Sequence, residues 1–246
     1  MPQTHTAFIT GAGKNIGRAV AIDLAERGTN VVINGRQDRD ACDAVATEVK
    51  AKGVKALVVM ADVGIAAEAR RAAKEALDAF GTIDVFVANA AIRPDKPFLD
   101  NTEEDWRRVM GTNLESAIYL SQAFIPGMIA QGWGRIVVMT GRNAMRGFPG
   151  HVTTSVAKHG LWGLTKTLAR EFGPQGITVN AISPGVIDTT GGNTARLARL
   201  NEAAKEIPVR RIGTSEEVAA LCGLLCSDDG GFTNGQMIGV NGGIDT

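Results

Sequence analysis

The chain has 246 residues, 44% of them hydrophobic and 21% charged, with Lys plus Arg and Asp plus Glu balanced at 26 each. That length suits a single α/β domain, 1–246, with a large core. Zero net charge without a basic run excludes an electrostatic nucleic-acid footprint, and no apolar run approaches transmembrane length, so neither nucleic acid nor membrane is an expected partner. Cys42, Cys222 and Cys226 lack metal spacing, and the last two read as small core residues, so no metal site is expected. Met1 to His5 is polar and the first apolar run is short, so no signal peptide is expected and the cytoplasm is the expected compartment.

Ala7-Phe8-Ile9 suits a buried strand. Thr10-Gly11-Ala12-Gly13-Lys14-Asn15-Ile16-Gly17 follows, and then Ala19, Val20, Ile22 and Leu24 recur with helical spacing. A strand leading through glycines into a helix offers backbone N–H groups and a positive dipole end to an anion, and glycine lets the backbone approach a pyrophosphate. For the loop alone, the alternative is a tight turn without a ligand. Its spacing is not GxGxxG; it resembles the TGxxxGxG fingerprint of the short-chain dehydrogenase/reductase family, with Asn15 in place of the middle glycine. Asn tolerates a left-handed backbone best among non-glycine residues, so the turn is expected to keep its shape. The resemblance implies that Gly11, Lys14, Asn15, Ile16 and Gly17 bind the cofactor.

Gly28 stops the first helix, and Val31-Val32-Ile33 reads as the second strand, followed by Asn34-Gly35-Arg36. In dinucleotide folds an acid here grips the adenosine ribose hydroxyls. None stands here, whereas Arg36 does and Lys14 lies in the phosphate loop, and two cations favour a 2′-phosphate. In the resembling family Gly35 falls where NAD enzymes carry Asp, and a basic residue just after it goes with NADP, so NADP(H) is the implied cofactor. The alternative is that Arg36 is a solvated loop residue. Asp38 to Lys52 reads as a helix and Ala56 to Met60 as the third strand. Asp62-Val63 then matches the family's pair at the adenine pocket, although an Asp after a strand is also a good turn residue. A helix from Ala66 to Phe80 leads to a strand from Ile83 to Val87 and to Ala88-Asn89-Ala90-Ala91. This resembles the family's NNAG with two substitutions; Asn89 and Ala90 keep the central pair, and Asn89 is expected to tie strands together.

After the loop Ile92 to Asp100, Thr102 to Asp105 reads as a helix N-terminus. Asn113 matches the family's mid-chain Asn, which there supports a proton-relay water near the active-site Lys; a helix-kinking polar residue is the other reading. The helices Ile118 to Ile129 and Leu161 to Phe172 carry more apolar surface than one sheet face needs, which suggests a homo-oligomer, a tetramer or dimer as in the family. Arg135 to Met139 and Ile177 to Ile182 are the fifth and sixth strands. Ser183 to Thr189 is similar to the family's PGxxxT, which implies cofactor contacts from Pro184 and Gly185, from Ile187 to the nicotinamide carboxamide and from Thr189 to the phosphates. Asp188 to Glu206, with Gly191-Gly192, reads as a weak helix and a mobile lid over substrate. Thr214 to Glu217 reads as a capping box before a Val218 to Leu225 helix, and Met237 to Val240 as the last strand. Alternating strands and helices call for a doubly wound (Rossmann) parallel sheet of about seven strands with helices on both faces.

The family places a Ser after the fifth strand and Tyr-x-x-x-Lys on the next helix, where Ser and Tyr bind the substrate oxygen and Lys lowers the Tyr pKa and holds the nicotinamide ribose. Here Thr154-Ser155-Val156-Ala157-Lys158 keeps Lys158, puts Thr154 at the Tyr position, and leaves Gly141 at the Ser position. Losing a positioned proton donor costs about 10²–10⁴ in rate. His151 is a conceivable substitute acid, or a solvated residue before a helix. Arg142 would bind an anionic substrate group, or face solvent. Thr140 would take the Ser role, or face inward. The implied catalytic positions are Lys158, Asn113, Thr154 and Gly141. Three readings follow: an atypical NADPH-dependent oxidoreductase acting on a small molecule such as an imine or other pre-activated acceptor, a non-catalytic NADP-binding protein, or an engineered variant of a normal carbonyl reductase.

Overall fold

Seven strands, β1 (Thr6–Ile9), β2 (Asn30–Gly35), β3 (Ala56–Met60), β4 (Val85–Ala88), β5 (Gly134–Met139), β6 (Ile177–Pro184) and β7 (Met237–Val240), pair in parallel in the order β3-β2-β1-β4-β5-β6-β7. They come from a computed structural model that describes residues 4–189, 191 and 194–245. The helices are α1 (Asn15–Glu26), α2 (Arg39–Lys50), α3 (Ala66–Phe80), α4 (Glu103–Met110), α5 (Ser116–Gln131), α6 (Val152–Phe172), α7 (Thr194–Ala203) and α8 (Ser215–Leu225).

The strands are near-continuous Val, Ile and Ala runs because both sheet faces are covered. On one face Val20 and Leu24 of α1, Val45 and Val49 of α2 and Val218 and Leu225 of α8 pack over Ile9 and Val31. On the other, Ala72 of α3, Phe124 of α5 and Leu161 of α6 pack over Phe8 and Phe86. The rings of Phe8, Phe86 and Phe124 meet with centroids 5.3–6.4 Å apart, tilted or edge-on. The chain runs outward from β1 to β3 and then returns to β4 beside β1, so a crevice opens at the carboxyl ends of β1 and β4.

Several boundaries differ from the sequence reading. β4 begins at Val85, not Ile83, and the side chain of Asp84 turns aside to accept the Thr6 N–H at 2.7 Å. β6 continues through Pro184, which has no N–H and pairs only on its β7 side. The expected helix from Asp188 to Glu206 begins only at Thr194. Ile187 instead bridges Gly213, and the Asp188 N–H donates to the Gly213 carbonyl at 2.8 Å, so strand-like pairing holds that stretch. Gly192 lies outside the described residues. α6 starts at Val152 and joins the Thr154–Lys158 segment and the Leu161–Phe172 stretch in one helix, which buries Thr153, Thr154 and Lys158.

Candidate cofactor and active site

The crevice is a cleft of about 520 Å³. Gly11, Lys14, Asn15, Ile16, Gly17, Arg36, Asp62, Val63, Asn89, Ala90 and Thr189 all line it, so residues far apart in sequence converge as expected of one site. Asn15 takes φ +52°, the left-handed conformation expected of it. A Cβ at Gly17 would collide with the Gly11 carbonyl and sit 2.7 Å from Asn89 Nδ2, so only glycine lets the start of α1 come this close to β1. Lys14 is the N-cap of α1 and makes no side-chain cap, so the N-cap residue supplies no acceptor to the first N–H groups of the helix. Asn89 ties β4 to the loop after β1: its Nδ2 donates to the Thr10 and Gly11 carbonyls at 2.9 and 3.1 Å. Thr10 Oγ1 in return accepts the Asn89 and Ala90 N–H groups, each at 2.9 Å.

At the other end of the cleft Arg36 Nη1 lies 3.5 Å from Asp62 Oδ2. Asp62 also accepts the Gly64 N–H at 3.0 Å, the turn-forming bond read as the alternative for that residue. The glycine cradle and the helix start fit the pyrophosphate of a dinucleotide, and Lys14, Arg36, Asp38 and Asp62 set two cations beside two carboxylates in the same cleft.

Lys158 is 2% exposed, and its Nζ donates to the Met139 carbonyl at 2.5 Å. Burial, reinforced by the positive charge of Arg93, lowers its pKa to about 7. One turn earlier on α6, Thr154 is 1% exposed and its Oγ1 has no hydrogen-bond partner among the described residues. Gly141 adopts φ +99° and ψ 176°, a conformation L side chains rarely take, and a Cβ built there would meet nothing nearer than the Pro184 carbonyl at 3.8 Å. The chain's one tyrosine is elsewhere: Tyr119 on α5 donates its hydroxyl proton to Glu115 at 2.9 Å, under the Arg70 guanidinium.

Asn113 lies in a π-helical turn, Gly111–Glu115, that joins α4 to α5. Its amide makes a pair of hydrogen bonds to one residue, accepting the Ile92 N–H and donating to the Ile92 carbonyl, both at 2.8 Å. Pro184, Gly185 and Ile187 do not line the cleft. Ile187 faces a second cavity of about 400 Å³, with Ile207, Arg211 and Glu217.

The three substitute groups are all engaged. Thr140 Oγ1 donates to the Ile182 carbonyl at 2.9 Å and so faces into the sheet. His151 Nδ1 is 3.2 Å from the Pro94 carbonyl, and the ring is half-buried, not solvated. Arg142 does not face solvent, and its charge is already matched: Nε donates to Asp245 Oδ2 at 2.8 Å. Arg146 reaches the same carboxylate at 3.4 Å, and both guanidinium groups lie over the Phe148 ring.

Sequence reasoning missed Asn34, Cys42 and Arg93. Asn34 is buried, donates to the Val59 and Ala61 carbonyls at 3.1 and 3.2 Å and accepts the Gly11 N–H at 3.4 Å. Cys42 and Arg93 line the cleft. An Asn inside an apolar strand was the one available signal among these.

Comparison with known proteins gives a consistent picture. Residues 11–245 match the family described as enoyl-(acyl carrier protein) reductase. The 3-oxoacyl-(acyl-carrier-protein) reductase FabG of Staphylococcus epidermidis is 37% identical over 239 residues, 97% of this chain and 98% of that one. A 3-oxoacyl-(acyl-carrier-protein) reductase of Synechocystis is 38% identical over 241 residues, 98% of this chain and 96% of the other. Among solved structures, the acetoin dehydrogenase YohF of Salmonella typhimurium superposes with a TM-score of 0.92 at 30% identity, covering 98% of this chain and 96% of its own. A protein provisionally assigned as an NAD(P)-dependent gluconate 5-dehydrogenase from Beutenbergia cavernae, with NADP bound at low occupancy, superposes with a TM-score of 0.89 at 35% identity and the same coverage.

Proposed function

The chain belongs to the short-chain dehydrogenase/reductase family, and from that premise we propose that it is an NADPH-dependent reductase working without a tyrosine proton donor. NADPH, when bound, supplies the hydride. Gly11, Lys14, Asn15, Ile16 and Gly17 would hold the pyrophosphate, Arg36 the 2′-phosphate, and Asp62 and Val63 the adenine side. Asn89, Ala90 and Thr189 would complete the lining of the cleft, with Lys158 on the nicotinamide ribose. The Beutenbergia neighbour's NADP supports this choice of cofactor.

The carrying observation is a buried amine of pKa about 7 with threonine one turn before it, glycine at 141, and the chain's only tyrosine on another helix. On the family resemblance, Gly141 and Thr154 would stand at the positions of its Ser and Tyr. An aliphatic hydroxyl is a far weaker acid than a phenol of pKa about 10, so Thr154 does not replace one. The positive φ of Gly141 argues that this loop is shaped for glycine, not a serine loop with its side chain trimmed. Acceptors that need no proton as they are reduced suit such a site. An iminium nitrogen is already cationic and becomes a neutral amine on hydride transfer, and Gly141 adds no side chain to this part of the site. Above pH 7 Lys158 presents a neutral amine, which spares a cationic acceptor a like charge. A cyclic imine is therefore the type substrate. We also propose a homodimer or homotetramer built on α5 and α6.

The test is NADPH oxidation with a cyclic imine and the ketone of the same ring size. Faster turnover of the imine is expected. Ketone reduction at the higher rate, or turnover of neither by a protein that binds NADPH, would overturn the reading, and the second result would favour a binding-only role.

A further inference from the structure

Charge alone does not decide which dinucleotide suits the adenosine end of the cleft. Lys14 and Arg36 line it, but so do Asp38 and Asp62, and Arg36 already pairs with Asp62. Sterics are less balanced. Cys42, on the first turn of α2, is 1% exposed, and its sulfur sits where the phosphate loop, the end of β2 and α2 meet. A Cβ at Gly13 would lie 3.0 Å from Cys42 Sγ, and a Cβ at Gly35 would collide with it. Little else opposes a side chain at Gly35. Its φ lies outside the left-handed region, and the next nearest atoms, Met60 Cε and Sδ, are 3.5 Å away at ordinary contact. Burial, with Asp38 and Asp43 nearby, pushes the Cys42 thiol up, so it contributes bulk and no charge.

We infer that Cys42 sets the dinucleotide preference: its sulfur closes position 35 to the acid that an unphosphorylated ribose is gripped by, and leaves that end of the cleft to Arg36 and a 2′-phosphate. This rests on the NADP(H) reading above, and it adds that the preference cannot be reversed at β2 alone. Cys42 acts through Gly35 and is a positioning residue.

Fluorescence titration with NADPH and NADH, beside thermal melting, tests it. Wild type should bind NADPH more tightly, and Cys42→Ala should keep that ranking. Gly35→Asp should weaken NADPH binding, gain no NADH binding and melt lower. Cys42→Ala with Gly35→Asp should recover the melting temperature and bind NADH about tenfold tighter than Gly35→Asp alone. In a readout free of cofactor, Gly35→Ala should lower the melting temperature and Cys42→Ala should restore it. The inference is overturned if Gly35→Asp alone takes up NADH as well as the double variant does, or if a folded double variant gains nothing. Wild type that ranks NADH first, or binds neither, overturns the NADP(H) reading itself and this inference with it.

Discussion

Lys158 shows how one buried side chain can make the molecule sensitive to pH. Its pKa falls from the usual 10.5 to about 7, chiefly through burial and then through Arg93. Between those values the unfolded chain binds a proton that the folded one does not. Stability from this group is therefore fully present above 10.5, lost as pH falls toward 7, and absent below it, where both states are protonated. Without cofactor, wild-type stability relative to Lys158→Met should thus rise with pH from about 7 upward, by at most about 1.4 kcal/mol per unit. Arg93→Ala should move the onset of that rise to higher pH. Melting both proteins across the alkaline range checks this, and a constant difference would refute it. The amine of Lys158 is also held away from bulk water, since it is buried and donates to a strand carbonyl.

Among the elements, α5 carries a clear energetic expectation. Phe124 is fully buried between Phe8 and Phe86, so Phe124→Ala removes a ring that β1 and β4 both pack against. A loss of about 3–5 kcal/mol in unfolding free energy is expected by denaturant titration. A loss below about 1 kcal/mol would mean that the core closes over the gap. Elements of this kind were legible in the sequence because their signals are local. Glycine spacing marked the phosphate loop, Thr102 marked a helix N-terminus and Thr214 a capping box, both of which form, and period marked the strands. Contacts between distant elements were not legible. Cys42 shows in the sequence only as a cysteine without metal spacing until Gly13 and Gly35 are seen beside it, and Arg142 finds its partner 103 residues away. Thr154 and Gly141 could be read as positions but not as environments: nothing in the sequence says that one is an orphaned hydroxyl and the other a left-handed turn.

For the whole molecule, the question is what covers the outer sides of α5 and α6. Ile129 is exposed, and Trp162, Leu164, Leu168 and Phe172 are only half-buried against the core beneath them. Covering such surface with a second copy would remove more apolar area from water. Sedimentation at micromolar concentration should therefore give a dimer or tetramer, and a monomer would refute the assembly proposed on these helices. A last consequence concerns how the protein is handled. Asp245 grips Arg142 and Arg146, so the tail of the described chain works as a tether on the turn that begins at Gly141. Handling that cleaves the chain ahead of Asp245 would cut that tether and leave both guanidinium groups without its carboxylate.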